Sequence, residues 1–166
     1  MVLKRIVWKT LGICRYVIQC GCIAHCTLEY VADFVFCFGP SMQPTILSKD
    51  VVFTEHLSTR FQWIQKGDIV IAKSPTNHEE FVCKRVIAMA GDEVCRDPTA
   101  WRKSYEYVPL GHVWLEGDNT VNSTDSRKYG PVPYALLRGK VFFKIWPLND
   151  LGFLKSCPQD ISKKIR

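Results

Sequence analysis

Three Gly-Asp pairs, Gly67-Asp68, Gly91-Asp92 and Gly117-Asp118, cut the middle of the chain into short pieces. Both residue types favour turns, so no long helix runs through these points. The pieces at 50–54, 68–72, 81–89, 92–95, 112–116 and 140–146 are rich in β-branched and aromatic residues. Each has the length and composition of a strand. The sequences flanking the three pairs differ, so they mark turns and not repeats. Beyond about residue 38 no segment has the apolar spacing of a helix of ordinary length. Residues 134–138 read as a single turn, and 97–109 as an excursion on the surface. The expected fold class is mainly β: an antiparallel, partly closed, β-barrel-like domain with an N-terminal membrane-associated helix.

The N-terminus is of a different kind. Val2, Leu3, Ile6, Val7, Leu11, Cys14, Val17 and Ile18 recur at helical spacing, interleaved with Lys4, Arg5, Lys9 and Arg15. A basic, acid-free amphipathic start has the character of a mitochondrial targeting segment. An ordinary amphipathic helix packed on the domain shows the same pattern. Residues 16–28 contain no Asp, Glu, Lys or Arg. As a helix they extend only about 20 Å, short of a hydrocarbon core of roughly 30 Å. Extension to Phe38 gives the length but takes in Glu29 and Asp33. If the segment spans, its basic end stays on the side from which positive charge is not exported, and the following domain faces the opposite compartment.

The net charge of +6 sits at the two ends, in residues 1–15 and 155–166, leaving a body near neutrality. A basic body would suit nucleic acid; two basic ends on a neutral body suit a membrane surface or a targeting signal. At 166 residues there is room for one cored domain and an appendage. The expected division is an anchor or targeting helix at 1–36, a β-domain at 37–155 and a basic tail at 156–166. Of the eight cysteines, Cys14, Cys20, Cys22, Cys26 and Cys37 lie in or beside the apolar stretch, and Cys83, Cys95 and Cys157 are scattered. No CxxC pairs occur, so this is no disulfide framework. A Cys20, Cys22, His25 and Cys26 metal site fails on geometry, because Cys20 leaves the helix face that Cys22 and Cys26 share. No metal is expected.

Two stretches carry chemistry when taken together. In Phe38-Gly39-Pro40-Ser41-Met42-Gln43-Pro44-Thr45, two prolines fix φ on either side of a serine and exclude a regular helix or central strand. Such a turn can present one hydroxyl at a fixed angle. In the strand at 81–87, alternation puts Val82, Lys84 and Val86 on one face and Phe81, Cys83, Arg85 and Ile87 on the other. A lysine between two valines is partly desolvated, or else snorkels from an edge strand. A free lysine is neutral in only about one molecule in 2,500 at pH 7, and apolar burial without an acidic partner raises that fraction. A neutral Lys84 could then take the Ser41 proton. His25, His56, His78 and His112 have no neighbourhood that demands a role, although a histidine-based triad needs no local signature. A third stretch, 117–131, is dense in turn formers. Within it Ser123, Asp125 and Arg127 alternate: Ser123 could hydrogen-bond the lysine nitrogen, and Asp125 and Arg127 could pair and hold the loop.

In order and spacing these stretches resemble the type I signal peptidase family of membrane-anchored serine–lysine endopeptidases. The residues concerned are Gly39 to Thr45, Lys66-Gly67-Asp68-Ile69-Val70, Lys84-Arg85-Val86-Ile87 with Gly91-Asp92, and Gly117-Asp118-Asn119 with Asn122 to Arg127 and Gly130. The basic start and Asn-Ser-Thr-Asp-Ser-Arg-x-Tyr-Gly-Pro look most like the mitochondrial inner membrane members. The resemblance covers about residues 37–147. It implies Ser41 as nucleophile with its backbone N–H as an oxyanion donor, Lys84 as general base, Ser123 as the group that orients it, and Asp125 and Arg127 as loop support. It implies no metal or organic cofactor, and a substrate peptide added as a strand beside the segments that precede Ser41 and Lys84. The expected activity is removal of sorting peptides from precursor proteins delivered to the intermembrane space. The expected setting is the mitochondrial inner membrane with a second, related subunit, and no nucleic acid. Gly39 stands where some members carry a second oxyanion hydroxyl, Phe38 where many mitochondrial relatives have serine, and Ala88 and Ala90 where Gly and Pro are usual. Two alternatives remain at this stage. One is a self-cleaving serine–lysine protease, against which residues 1–38 show no DNA-reading helix-turn-helix. The other is a catalytically silent, membrane-associated β-module that binds a partner.

Overall fold

The structure is a computed structural model that describes residues 2–77, 79–96, 101, 104–154 and 156, with side chains from residue 8 onward. His78, Cys157, most of the basic tail and residues 97–100, 102 and 103 of the expected excursion lie outside the described residues. The elements run α1 (Val2–Tyr30), β1 (Ala32–Phe36), β2 (Val51–Glu55), α2 (Leu57–Arg60), β3 (Ile69–Lys73), β4 (Phe81–Met89), β5 (Glu93–Cys95), β6 (Tyr105–Tyr107), β7 (His112–Glu116), α3 (Ser126–Tyr129), β8 (Val132–Pro133), β9 (Leu137–Trp146) and β10 (Gly152–Phe153). All six expected strands are present, and α2 and α3 are single turns of four residues.

α1 is continuous over 29 residues. Its stretch Trp8–Tyr30 is long and apolar enough to cross a bilayer, and none of it is buried against the rest of the chain. These 23 residues rise about 35 Å, which exceeds the hydrocarbon core. Counting only charge-free residues understated that length, because long basic side chains can turn toward an interface.

The sheet is antiparallel, in the order β1-β2-β9-β3-β4-β7-β8, with β10 added beside β9. Register shifts interrupt the pairing of β9 with β2 and with β3, and of β4 with β7. Such bulges add local twist and curl a sheet toward a barrel. β4 changes partner midway: 81–85 pair with β3, and 85–89 with β7. This leaves one edge of 81–84 unpaired among the described residues, as is the outer edge of β1. Val70, Ala72, Val86, Val113, Leu115 and Val132 form a core on one face of the sheet. Cys37, Met42, Ile46, Val52, Ile69, Ile71 and Val141 form a core on the other.

The excursion expected at 97–109 is only partly one. β6 pairs with β5, and Val108 is fully buried with Ile87, Ala88, Val94 and Trp114. A three-residue strand that Pro109 follows closely gives too little alternation to be seen in sequence. β1 escaped notice for a related reason. It follows the helix after one residue, so its apolar residues read as a continuation of the helical stretch.

Candidate active site

The turn after β1 is anchored from below. Met42 and Ile46 are buried in the core while Ser41 between them and Gly39 is only half-buried. The Gln43 N–H donates to the Pro40 carbonyl at 3.2 Å and the Ile46 N–H to the Met42 carbonyl at 2.9 Å. Gly39 has φ of +96°, a conformation that favours glycine. The loop after β7 fixes the serine from its other side. The Asn119 N–H donates to the Ser41 carbonyl at 3.0 Å, and the Thr45 hydroxyl donates to the Asp118 carboxylate. A Cβ on Gly117 would press against both the Ser41 carbonyl oxygen and the Ser123 hydroxyl, so only glycine lets these two segments meet.

Lys84 is 3% exposed, on the same face of β4 as Val82 and Val86. Its Nζ donates to Ser123 Oγ at 2.9 Å. Burial holds its pKa below the ordinary amine value, and the Asp125 charge opposes that effect. The sequence reading placed no acid near this lysine. The structure corrects it: Asp125 acts on Lys84, but its carboxylate is already engaged by other groups. It accepts from Arg127 Nε at 2.9 Å and Nη2 at 2.7 Å, and from the Gly117 N–H at 3.0 Å. Burial alone would raise the Asp125 carboxyl, but Arg127, Gly117 and the Ser123 hydroxyl together hold it below the usual carboxylate range. Ser123 thus lies between the two groups: its oxygen accepts from Lys84, and its hydroxyl favours the charged form of Asp125. A neutral Lys84 would therefore keep its lone pair for another hydroxyl.

Ser41 and Lys84 line one cavity of about 240 Å³, between residues 35–39 and 80–84. Its lining includes Cys37 and Cys83, whose thiols act on each other. That contact pulls the Cys37 thiol pKa down and pushes the Cys83 thiol up. No histidine lines this cavity among the described residues. His56, which the sequence put in a polar loop, is buried at the end of β1 away from the turn, where its N–H donates to the Val31 carbonyl. The structure thus brings Ser41, Lys84, Ser123, Asp125 and Arg127 into one neighbourhood.

Arg85 and Asp118 had no assigned role in the sequence. Arg85 donates from Nε and Nη2 to the two Asp118 oxygens at 2.7 and 2.6 Å, and from Nη1 to the Gly67 carbonyl at 2.7 Å. Asp118 therefore ties the lysine strand, through Arg85, to the serine turn, through Thr45. The signal for this was available: an arginine beside the lysine in an apolar strand needs a carboxylate when buried.

A curled antiparallel sheet with a hydroxyl and a desolvated amine on one cavity has the form of a serine–lysine peptidase. The chain belongs to the signal peptidase, peptidase S26, family, which matches residues 11–100 and 97–146. It is 57% identical over 157 residues to mitochondrial inner membrane protease subunit 1 of Homo sapiens, covering 94% of this chain and 95% of that one. The Schizosaccharomyces pombe subunit 1 is 42% identical, covering 81% of this chain and 92% of its own. Mitochondrial inner membrane protease subunit 2 of Danio rerio is 40% identical, covering 72% and 66%. Among solved structures, a signal peptidase I from Enterococcus faecalis V583 aligns with a TM-score of 0.40 and 23% identity, covering 46% of this chain and 95% of that one. The chain is a serine endopeptidase of the signal peptidase kind, belonging to the mitochondrial inner membrane.

Proposed function

We infer that Ser41 and Lys84 form the dyad that removes sorting peptides from precursors delivered to the intermembrane space. A neutral Lys84 takes the Ser41 proton as Oγ attacks the scissile carbonyl. The Ser41 N–H faces the developing oxyanion, the leader leaves, and Lys84 then activates the water that hydrolyses the acyl-enzyme. Ser123 orients the amine, and Asp125 and Arg127 hold Ser123 in place. The observation that carries this reading is a buried lysine that lines the same cavity as Ser41 and makes its hydrogen bond to a hydroxyl rather than a carboxylate. The unpaired edges of β1 and of 81–84 flank that cavity, which suits an extended peptide added as a strand.

In this reading α1 crosses the inner membrane with its basic end in the matrix, and the β-domain works in the intermembrane space. A second, related subunit pairs with it; relatives named subunit 1 and subunit 2 both align with this chain. No cofactor takes part in the steps above. The test is turnover of leader-bearing precursors by the purified full chain, with and without the second subunit. Ser41→Ala and Lys84→Ala, each folded by circular dichroism, should lower cleavage at least about 10³-fold. Full activity in folded Lys84→Ala would remove the lysine as base.

A further inference from the structure

A second cavity, of about 310 Å³, opens off the first; Val35, Ile71 and Phe81 line both. Its far end is polar. Asp33 on β1, Thr54 on β2 and His56 just beyond β2 converge there. Asp33 and Thr54 are cross-strand partners, and His56 follows Thr54 by two residues on the same face. Thr54 is fully buried and His56 is 4% exposed. Asp33 Oδ1, Thr54 Oγ1 and His56 Nε2 are all buried and have no hydrogen-bond partner among the described residues. Native interiors rarely leave three such atoms together. The ring is held in place, because His56 Nδ1 lies 2.9 Å from the Arg138 carbonyl, which can only accept, so Nδ1 carries a proton. His56 Nε2 and Asp33 Oδ1 face one another at 3.7 Å, too long for a hydrogen bond. Arg138 also lines this cavity, but its guanidinium is engaged by Glu29 at 3.8 Å and lies 5.7 Å from the Phe81 ring centroid.

The shared walls join the two cavities into one groove, with apolar residues at the junction and three unpartnered polar atoms at its far end. Along β1 and the residue after it the floor residues are Cys37, Val35 and Asp33, each about 6–7 Å from the next. An extended peptide has the same spacing between alternate side chains. If its residue before the cut lies over Cys37 and Cys83, its third lies over Val35 and Ile71. Its fifth then reaches Asp33, Thr54 and His56.

We propose that the Asp33–Thr54–His56 cavity is a subsite for a lysine side chain five residues before the cut. The proposal rests on the reading that the peptide lies extended toward Ser41. The ammonium supplies three donors, which match one carboxylate oxygen, one imidazole nitrogen and one hydroxyl. A long aliphatic stem suits the Val35, Ile71 and Phe81 walls.

The test uses leader peptides carrying lysine or norleucine, its uncharged counterpart of similar length, at each position from third to seventh before the cut. With the full chain in detergent, lysine at the fifth position should raise kcat/KM about 10-fold over norleucine, chiefly through KM. Asp33→Asn and, separately, Thr54→Val should reduce that preference while leaving cleavage of the norleucine peptide in place. Fluorescence anisotropy of the same labelled peptides on Ser41→Ala measures the preference without turnover. Lysine-selective binding there, with no cleavage by the wild type, would overturn the reaction and keep the subsite. Equal binding of the two peptides at every position would overturn the subsite, whether or not cleavage occurs.

Discussion

Lys84 has no carboxylate bonded to its amine, and this has a measurable consequence. The active form is the neutral amine, so kcat/KM should rise with pH and level off above the Lys84 pKa. Burial places that plateau below the pH at which an ordinary lysine would reach it. The Asp125 charge stabilises the ammonium and so pulls the other way. Asp125→Asn should therefore move the rising limb to lower pH, read from a pH–rate profile on protein shown to be folded. A shift to higher pH would mean that Asp125 acts on Lys84 otherwise than through its charge. At Gly117 the constraint is space alone. Gly117→Ala should push Ser41 and Ser123 apart and cost about 10² in kcat with a smaller change in KM, since small displacements of reacting groups cost rates of that order. The chemistry-bearing side chains were legible in sequence because their types and spacing are distinctive. Arg85–Asp118 and Asp33–His56 were not, because each pair joins residues that only the folded sheet makes neighbours.

Among the elements, β9 is the one through which the two ends of the sheet communicate. It lies between β2 and β3, with bulges on both sides. Gly139 lets β9 lie close to the end of β2. A Cβ there would stand 2.6 Å from Thr54 Cγ2, 2.7 Å from the Glu55 carbonyl oxygen and 2.9 Å from His56 Nδ1. Gly139→Ala should destabilise the fold by about 1–3 kcal/mol, seen as a lower urea midpoint with an unchanged slope. The sequence revealed strands where β-branched and aromatic residues gathered between turn formers, and the short piece at 92–95 beside Gly91-Asp92. It missed the N-terminal part of β9, where a glycine interrupts the run. It also missed β8 and β10, which are two residues each and owe their strand character to pairing rather than to composition.

At the scale of the whole molecule, a helix whose apolar stretch is not buried against the β-domain leads in one residue to the edge strand of the groove. The site is therefore tethered at a fixed distance from the membrane in which the helix lies. If α1 spans with its basic end in the matrix, a C-terminal epitope should become accessible to external protease once the outer membrane is opened, and carbonate should not extract the chain. Protection of that epitope would reverse the orientation. Helix and β-domain were both legible in outline; that one runs straight into the other was not, since β1 carries the same apolar residues as the end of the helix.

The paired thiols of Cys37 and Cys83 lie on the floor where a leader would rest. Anything that occupies the groove covers them, and anything that leaves it uncovers them. The chain thus contains its own occupancy gauge: the alkylation rate of Cys37, followed by peptide mapping, reports whether the enzyme is loaded even when it cannot cut.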